Sequence, residues 1–243
     1  MSIRRTGATA QRVLGQLRND RRTIALLLVV PSALMGLLAW IVSAEDFDQY
    51  GPPLLGIFPL IVMFLVTSVA TLRERSSGTL ERLLAMPISK ADFVFGYAVA
   101  FGGFAIVQAL LVSGLSFGLF GLDVRGSGWL LVLVAVIDAL LGTAMGLFVS
   151  AFAATEFQAV QFMPAFILPQ LLLCGIITPR DELPTPLQWL SDLLPMSYAV
   201  DATQQVMTSA TATGEFWRSI AVVAGFMVLA LSGGAATLRR RTA

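Results

Sequence analysis

The sequence predicts an all-α membrane protein. Three observations carry that reading. Of 243 residues, 56% are apolar and only 13% are charged, whereas a soluble domain carries about a quarter charged residues. Six apolar runs are each long enough to cross a bilayer, which takes about 20 residues of helix. The basic residues between those runs fall mostly into alternate segments, as they do in multi-pass proteins.

The first 22 residues contain Arg4, Arg5, Arg12, Arg18, Arg21 and Arg22. Ala10, Val13, Leu14 and Leu17 recur at i, i+3, i+4 and i+7, the spacing of one helical face. Residues 1–22 are therefore expected as an amphipathic interfacial helix, flat on the cytoplasmic leaflet with its arginines toward lipid phosphates. A secretory signal is the competing idea. It fails because no small-residue cleavage site precedes a soluble domain, and further apolar runs follow.

The six runs are 23–43, 54–72, 93–122, 128–152, 157–177 and 219–238. The third is long enough to tilt, or to break at Gly102-Gly103. Pro31, Pro59, Pro164 and Pro169 lie inside runs and are expected to kink them.

Residues 72–92 separate the second and third runs and hold seven charges, among them Lys90, the only lysine. Gly78 can adopt a positive φ and turn the chain. Leu80, Leu83 and Leu84 then share one edge of a short helix over 79–85, which Pro87 stops. Ser89 followed by Asp92 is a capping-box start for the next helix. Residues 178–218 form the longest segment on the other side. Leu183, Leu187, Leu190 and Leu194 follow helical spacing beside Trp189, Pro195 ends that run, and Ser197 is placed to cap a second short helix. The pair is expected as re-entrant or interfacial helices, with an amphipathic surface lid as the alternative.

With the N-terminus inside, thirteen basic residues face the cytoplasm and three, Arg125, Arg180 and Arg218, face out. That asymmetry places both termini and the 72–92 segment in the cytoplasm. No repeat or linker divides the chain, so 1–243 reads as a single transmembrane domain.

The stretch from Glu74 to Pro87 reads E-R-x-x-G-T-L-E-x-L-x-x-x-P. It resembles the coupling loop of the membrane (permease) subunits of type-2 ABC transporters, a family that includes bacterial drug, antibiotic and lipid exporters. The order Trp189, Pro195, Tyr198 is similar to that family's outer re-entrant element. The resemblance implies six transmembrane helices, an interfacial helix before the first, and a short cytoplasmic coupling helix docking on a separate ABC ATPase subunit. It implies outer re-entrant helices between spans five and six. It also implies a second permease copy, as a homodimer or with a related permease, in the bacterial inner membrane. Glu74, Gly78, Thr79, Leu80, Glu81, Leu83, Leu84 and Pro87 are then the ATPase-coupling residues. The leucines would fill a groove on the partner, and the two glutamates would meet its basic residues or helix N-termini.

Several chemistries are excluded. There is no histidine, and Cys174 is the only cysteine, so His ligation, Ser-His dyads and Cys clusters are unavailable. A P-loop needs Lys followed by Ser or Thr, but Lys90 precedes Ala91. The chain is thus not expected to be an enzyme or to bind a cofactor itself; ATP and Mg belong to the partner ATPase. A net charge of +1 gives no field for nucleic acid.

In the fourth run Asp138, Gly142, Gly146 and Ser150 recur every four residues. Gly142 and Gly146 make a small-xxx-small helix-packing face, and Gly114 and Gly118 in the third run have the same spacing. Asp138 is the one acidic residue well inside a run, where a charge costs roughly 2.5–3.5 kcal/mol. It reads either as a functional carboxylate or as a protonated one hydrogen-bonded to a neighbouring helix. Gln108, Asp138 and Gln170 are the candidate substrate-pathway residues, with interhelical hydrogen bonding as the plainer role of the glutamines. The leading function is an ATP-driven exporter subunit for an amphipathic drug, antibiotic or lipid-like substrate. An ATP-independent carrier or channel is the alternative, although no inverted repeat is visible. A membrane-embedded enzyme is disfavoured by the lack of a second acid/base group near Asp138.

Overall fold

The computed structural model describes residues 2–76 and 89–237, and all regular structure among them is helical. In chain order the α-helices are α1 Ile3–Asn19, α2 Arg21–Ile41, α3 Ala44–Ser76, α4 Lys90–Gly118, α5 Gly128–Ser150, α6 Glu156–Leu173, α7 Thr185–Asp192, α8 Pro195–Thr208 and α9 Gly214–Thr237. A single 3-10 turn, Arg180–Glu182, lies between α6 and α7. Five helices, α2, α3, α4, α5 and α9, are long and apolar enough to cross a membrane. Helix α6 occupies most of the fifth apolar run, but its 18 residues include three glutamines and two prolines, and it stands outside those five.

The helices follow the apolar runs, with four corrections. Helix α3 begins ten residues before the second run, because Ser43 and Asp46 cap it. The Ser43 hydroxyl accepts from the Asp46 N–H at 3.2 Å and donates to its carboxylate at 2.7 Å. The polar turn that apolarity assigns to a loop is therefore helical, and it carries Pro52 and Pro53 within α3. Helix α4 does not break at Gly102-Gly103 but continues through the pair. Pro195 does not merely end the first outer helix; it opens α8, where a missing N–H costs nothing. Ser197 caps neither helix. It is buried, and its hydroxyl meets that of Ser191 at 2.9 Å.

The centre of the bundle is the seam between α3 and α5. A Cβ on Gly142 would lie 2.2 Å from the Leu60 carbonyl oxygen, and one on Gly146 would lie 2.6 Å from that of Phe64. One on Gly56 would lie 2.1 Å from the Asp138 carboxylate. The file Asp138, Gly142, Gly146 on α5 thus runs beside Gly56, Leu60, Phe64 on α3 with a constant offset, so the two helices run in the same direction. Absent side chains let the backbones touch, which is how apolar helices gain dispersion contact where no hydrophobic effect drives them together. Gly114 and Gly118 share the spacing but face open space.

Candidate functional site

One end of the helix bundle converges on Glu74 and Asp92, which lie on either side of residues 77–88. Helix α1 reaches them because Ala10, Val13 and Leu17 fill one buried stripe, extended by Thr6 and Thr9. Gly96 of α4 admits it: a Cβ there would lie 2.6 Å from the Thr9 Cβ. Helix α1 is therefore packed on α4 by one face.

On the leading side of the segment stands the last turn of α3. Glu74 accepts from Arg12 Nη1 at 2.8 Å and from Gln16 Nε2 at 3.1 Å. Arg12 Nη2 also donates to the Tyr97 hydroxyl at 3.0 Å, with the guanidinium 5.8 Å from the ring centroid. Burial alone would lower the Arg12 pKa, but the hydrogen bonds to Glu74 and Tyr97 outweigh it and hold the group above its ordinary value. Arg12 therefore points into the protein rather than toward lipid phosphates, a correction to the expectation for residues 1–22. Arg73 makes a two-pronged pair with Glu156 at the start of α6, at 2.8 and 2.9 Å. Arg75 donates to the Ser150 carbonyl at the end of α5. Three successive side chains thus tie the end of α3 to α1, α6 and α5.

On the trailing side stands Asp92. Its carboxylate accepts from the Ser89 N–H at 3.1 Å while the Ser89 hydroxyl accepts from the Asp92 N–H, the capping box expected for α4. The same carboxylate accepts from the Ser2 N–H at 2.7 Å. One buried carboxylate caps two helices, and α1 is bonded to both flanks of the segment.

Gly78, Thr79, Leu80, Glu81, Leu83, Leu84 and Pro87 lie outside the described residues; Glu74 is the coupling candidate within them. Gln108 is fully buried in α4, and neither of its amide atoms has a hydrogen-bond partner among the described residues. Asp138 is buried against α3, and its Oδ1 has none either. Gln170 is engaged: it donates to the Phe166 carbonyl at 2.9 Å and accepts from the Met196 N–H at 3.3 Å, joining α6 to α8. No hydrogen bond joins any two of these three. Sequence reasoning missed Arg12, Tyr97 and the second role of Asp92. The spacing of Arg12 and Gln16 on one helical face was the available signal.

At the other end of the bundle Arg180 donates to both Asp192 and Asp201 and lies 5.4 Å from the Tyr198 ring centroid. It bolts the 3-10 turn to α7 and α8 beside a polar cavity of about 510 Å³.

Residues 6–208 match the ABC-2 type transporter family. The chain is 30% identical over 169 residues to the probable multidrug ABC transporter permease YbhR of Escherichia coli, covering 70% of this chain and 46% of the relative. It is 27% identical over 180 residues to the E. coli inner membrane transport permease YhhJ, covering 72% and 46%. It is 25% identical over 188 residues to ABC transporter G family member 20 of Dictyostelium discoideum, covering 76% and 26%. The matched part spans about half the length of the bacterial relatives.

Proposed function

The chain belongs to the ABC-2 type transporter family, and from that premise we propose that it is the membrane-spanning subunit of an ATP-driven exporter. In this reading a separate ABC ATPase grips the 77–88 segment from the cytoplasm and supplies hydrolysis. The observation that carries the reading is the double attachment of α1. Glu74 before the segment and Asp92 after it are both hydrogen-bonded to that one helix. A displacement of the segment then reaches α1, α5 and α6 together instead of dissipating in a loose loop.

Helix α6 serves as the fifth of six spans, with α9 as the sixth. Its 18 residues reach about 27 Å, close to the hydrocarbon thickness. Residues 1–22 lie at the inner surface, 178–218 fold back at the outer one, and both termini are cytoplasmic in a bacterial inner membrane. Two permease chains, identical or related, enclose the path between them. The multidrug description of the E. coli relative and the apolar helices favour an amphipathic substrate. Gln108 and Asp138, which keep polar atoms without partners among the described residues, are the pathway candidates to pursue first. Gln170 contributes by holding α6 on α8.

The test is copurification with the cognate ATPase. Replacing Leu83 and Leu84 with Asp is expected to abolish it and to remove substrate-stimulated hydrolysis in proteoliposomes. Normal assembly and stimulation by that variant overturns the docking assignment.

A further inference from the structure

The polar cavity of about 510 Å³ beside Arg180 has an unbalanced lining. Asp192 of α7, Asp201 of α8 and Glu215 in the first turn of α9 supply its carboxylates, and Arg180 and Arg218 its cations. Arg180 is already engaged with Asp192 and Asp201. Arg218 is exposed and pairs with none of the three carboxylates. Asp201 feels like charge from Asp192 and Glu215 as well as the pull of Arg180, so the three carboxylates act on one space. Each also keeps an oxygen without a hydrogen bond among the described residues: Oδ2 of Asp192, Oδ1 of Asp201 and Oε1 of Glu215. A cleft with an excess of one sign concentrates ions of the other.

The walls of this cleft are held in place. Gln205 donates to Glu215 at 3.0 Å and accepts from the Thr213 hydroxyl at 3.1 Å. The Tyr198 hydroxyl donates to the Asp192 carbonyl at 2.8 Å, which fixes a ring whose face attracts cations, as its contact with Arg180 shows. Ser219 lines the cavity at 7% exposure, yet its hydroxyl makes no hydrogen bond among the described residues, and a buried polar group is costly to leave unbonded. Among the described residues no three His, Cys, Asp or Glu side chains are grouped to hold a metal ion. The volume is instead that of a small-molecule site. We propose that this cavity binds an organic amine in its ammonium form, the charge held by Glu215 and Asp201 and the body of the molecule beside Tyr198 and Ser219. The identity of that amine as transported cargo rests on the exporter reading above; its binding does not. Binding needs no ATPase, so its failure leaves the docking assignment untouched.

The test is saturation-transfer NMR on the purified full chain in detergent with three probes of one skeleton: phenethylamine, phenethyl alcohol and phenylacetate. Saturable binding is expected for the amine and for neither of the others. Glu215→Gln, which keeps the shape of the side chain, and Asp201→Asn are each expected to weaken it about tenfold, and Ser219→Ala about threefold. Glu215 is exposed, so its variant serves if Asp201→Asn does not fold. Asp123→Asn, which lies on a separate cavity, is expected to leave binding unchanged. No saturable binding of the amine, equal binding of the alcohol or the acid, unchanged affinity in Glu215→Gln, or an equal loss in Asp123→Asn each overturns the proposal.

Discussion

Arg12 and Glu74, 62 positions apart, meet at 2.8 Å where α1 crosses the end of α3, and both side chains are largely out of solvent. A charged hydrogen bond in this setting contributes more than a surface ion pair, which is worth roughly 0–1 kcal/mol. Removing the arginine leaves the Glu74 carboxylate buried without its guanidinium. Arg12→Ala is expected to destabilise the chain by about 2 kcal/mol, read as a lower thermal midpoint in detergent. Arg12→Lys should recover part of that loss, because an ammonium cannot reach Glu74 and the Tyr97 hydroxyl with the same fork. A double-mutant cycle with Glu74→Gln isolates the pair; a coupling energy near zero defeats this account.

The two small-xxx-small motifs separate sharply in the structure. Gly142→Ala drives a methyl group into the Leu60 carbonyl, whereas Gly114→Ala places one in open space. Overpacking a closed seam costs typically 1–3 kcal/mol. The expected outcome is poor expression or a lowered midpoint for Gly142→Ala, and wild-type behaviour for Gly114→Ala in a single chain. Equal behaviour of the two variants means the α3–α5 seam is not the close contact described.

That contrast marks what was legible in the sequence. Helices were, because an apolar run longer than about 20 residues has few alternatives in a bilayer. The Ser89–Asp92 box was, because a cap is local. The start of α3 was not, since Ser43 and Asp46 make a polar turn that composition assigns to a loop. Nor were the partners of Arg12 and Asp92: one lies 62 residues away, the other 90, and a periodic pattern shows which face a residue occupies but not what meets it. The same limit explains why Gly142 and Gly114 look alike in one dimension. Of the candidate pathway residues, Gln170 turned out to be occupied by the Met196 N–H, a partner that only the fold-back of α8 supplies.

The Arg180–Asp201 contact gives a pH dependence of a sense opposite to the one an ion pair suggests. Burial raises the Asp201 pKa above the ordinary carboxylate value, and the nearby Arg180, which pulls it down, does not cancel that effect. The folded chain thus holds this proton more tightly than the unfolded chain. Its stabilising contribution is full below the ordinary carboxylate value and is lost as pH rises through the higher native one. Arg180→Gln removes the downward pull and moves the loss to still higher pH. Protection of 195–208 from hydrogen exchange, corrected for intrinsic rates, should fall between acid and neutral pH, and over a higher range in the variant. A flat profile, or one rising with pH, rules out burial as the dominant influence.

Asp92 offers the strictest test of whether α1 and the flanks of the 77–88 segment form one body. Ser89→Ala removes the hydroxyl half of the capping box but leaves the carboxylate bonded to the Ser2 N–H. Asp92→Ala removes the bonds to Ser2 and Ser89 together. If the carboxylate is the shared cap, Ser89→Ala should raise hydrogen exchange only in the first turn of α4. Asp92→Ala should raise it in residues 2–9 as well, although those residues are unchanged and more than eighty positions away. Asp92→Asn should give an intermediate result, since an amide oxygen still accepts but without charge. In reconstituted complexes the same order should appear in substrate-stimulated ATP hydrolysis, with Asp92→Ala lowest, because a segment attached on one flank moves α1 less than a segment attached on both. Exchange confined to α4 in every variant would mean that the Ser2 contact does not hold α1, and the two flanks would then have to be treated as independent.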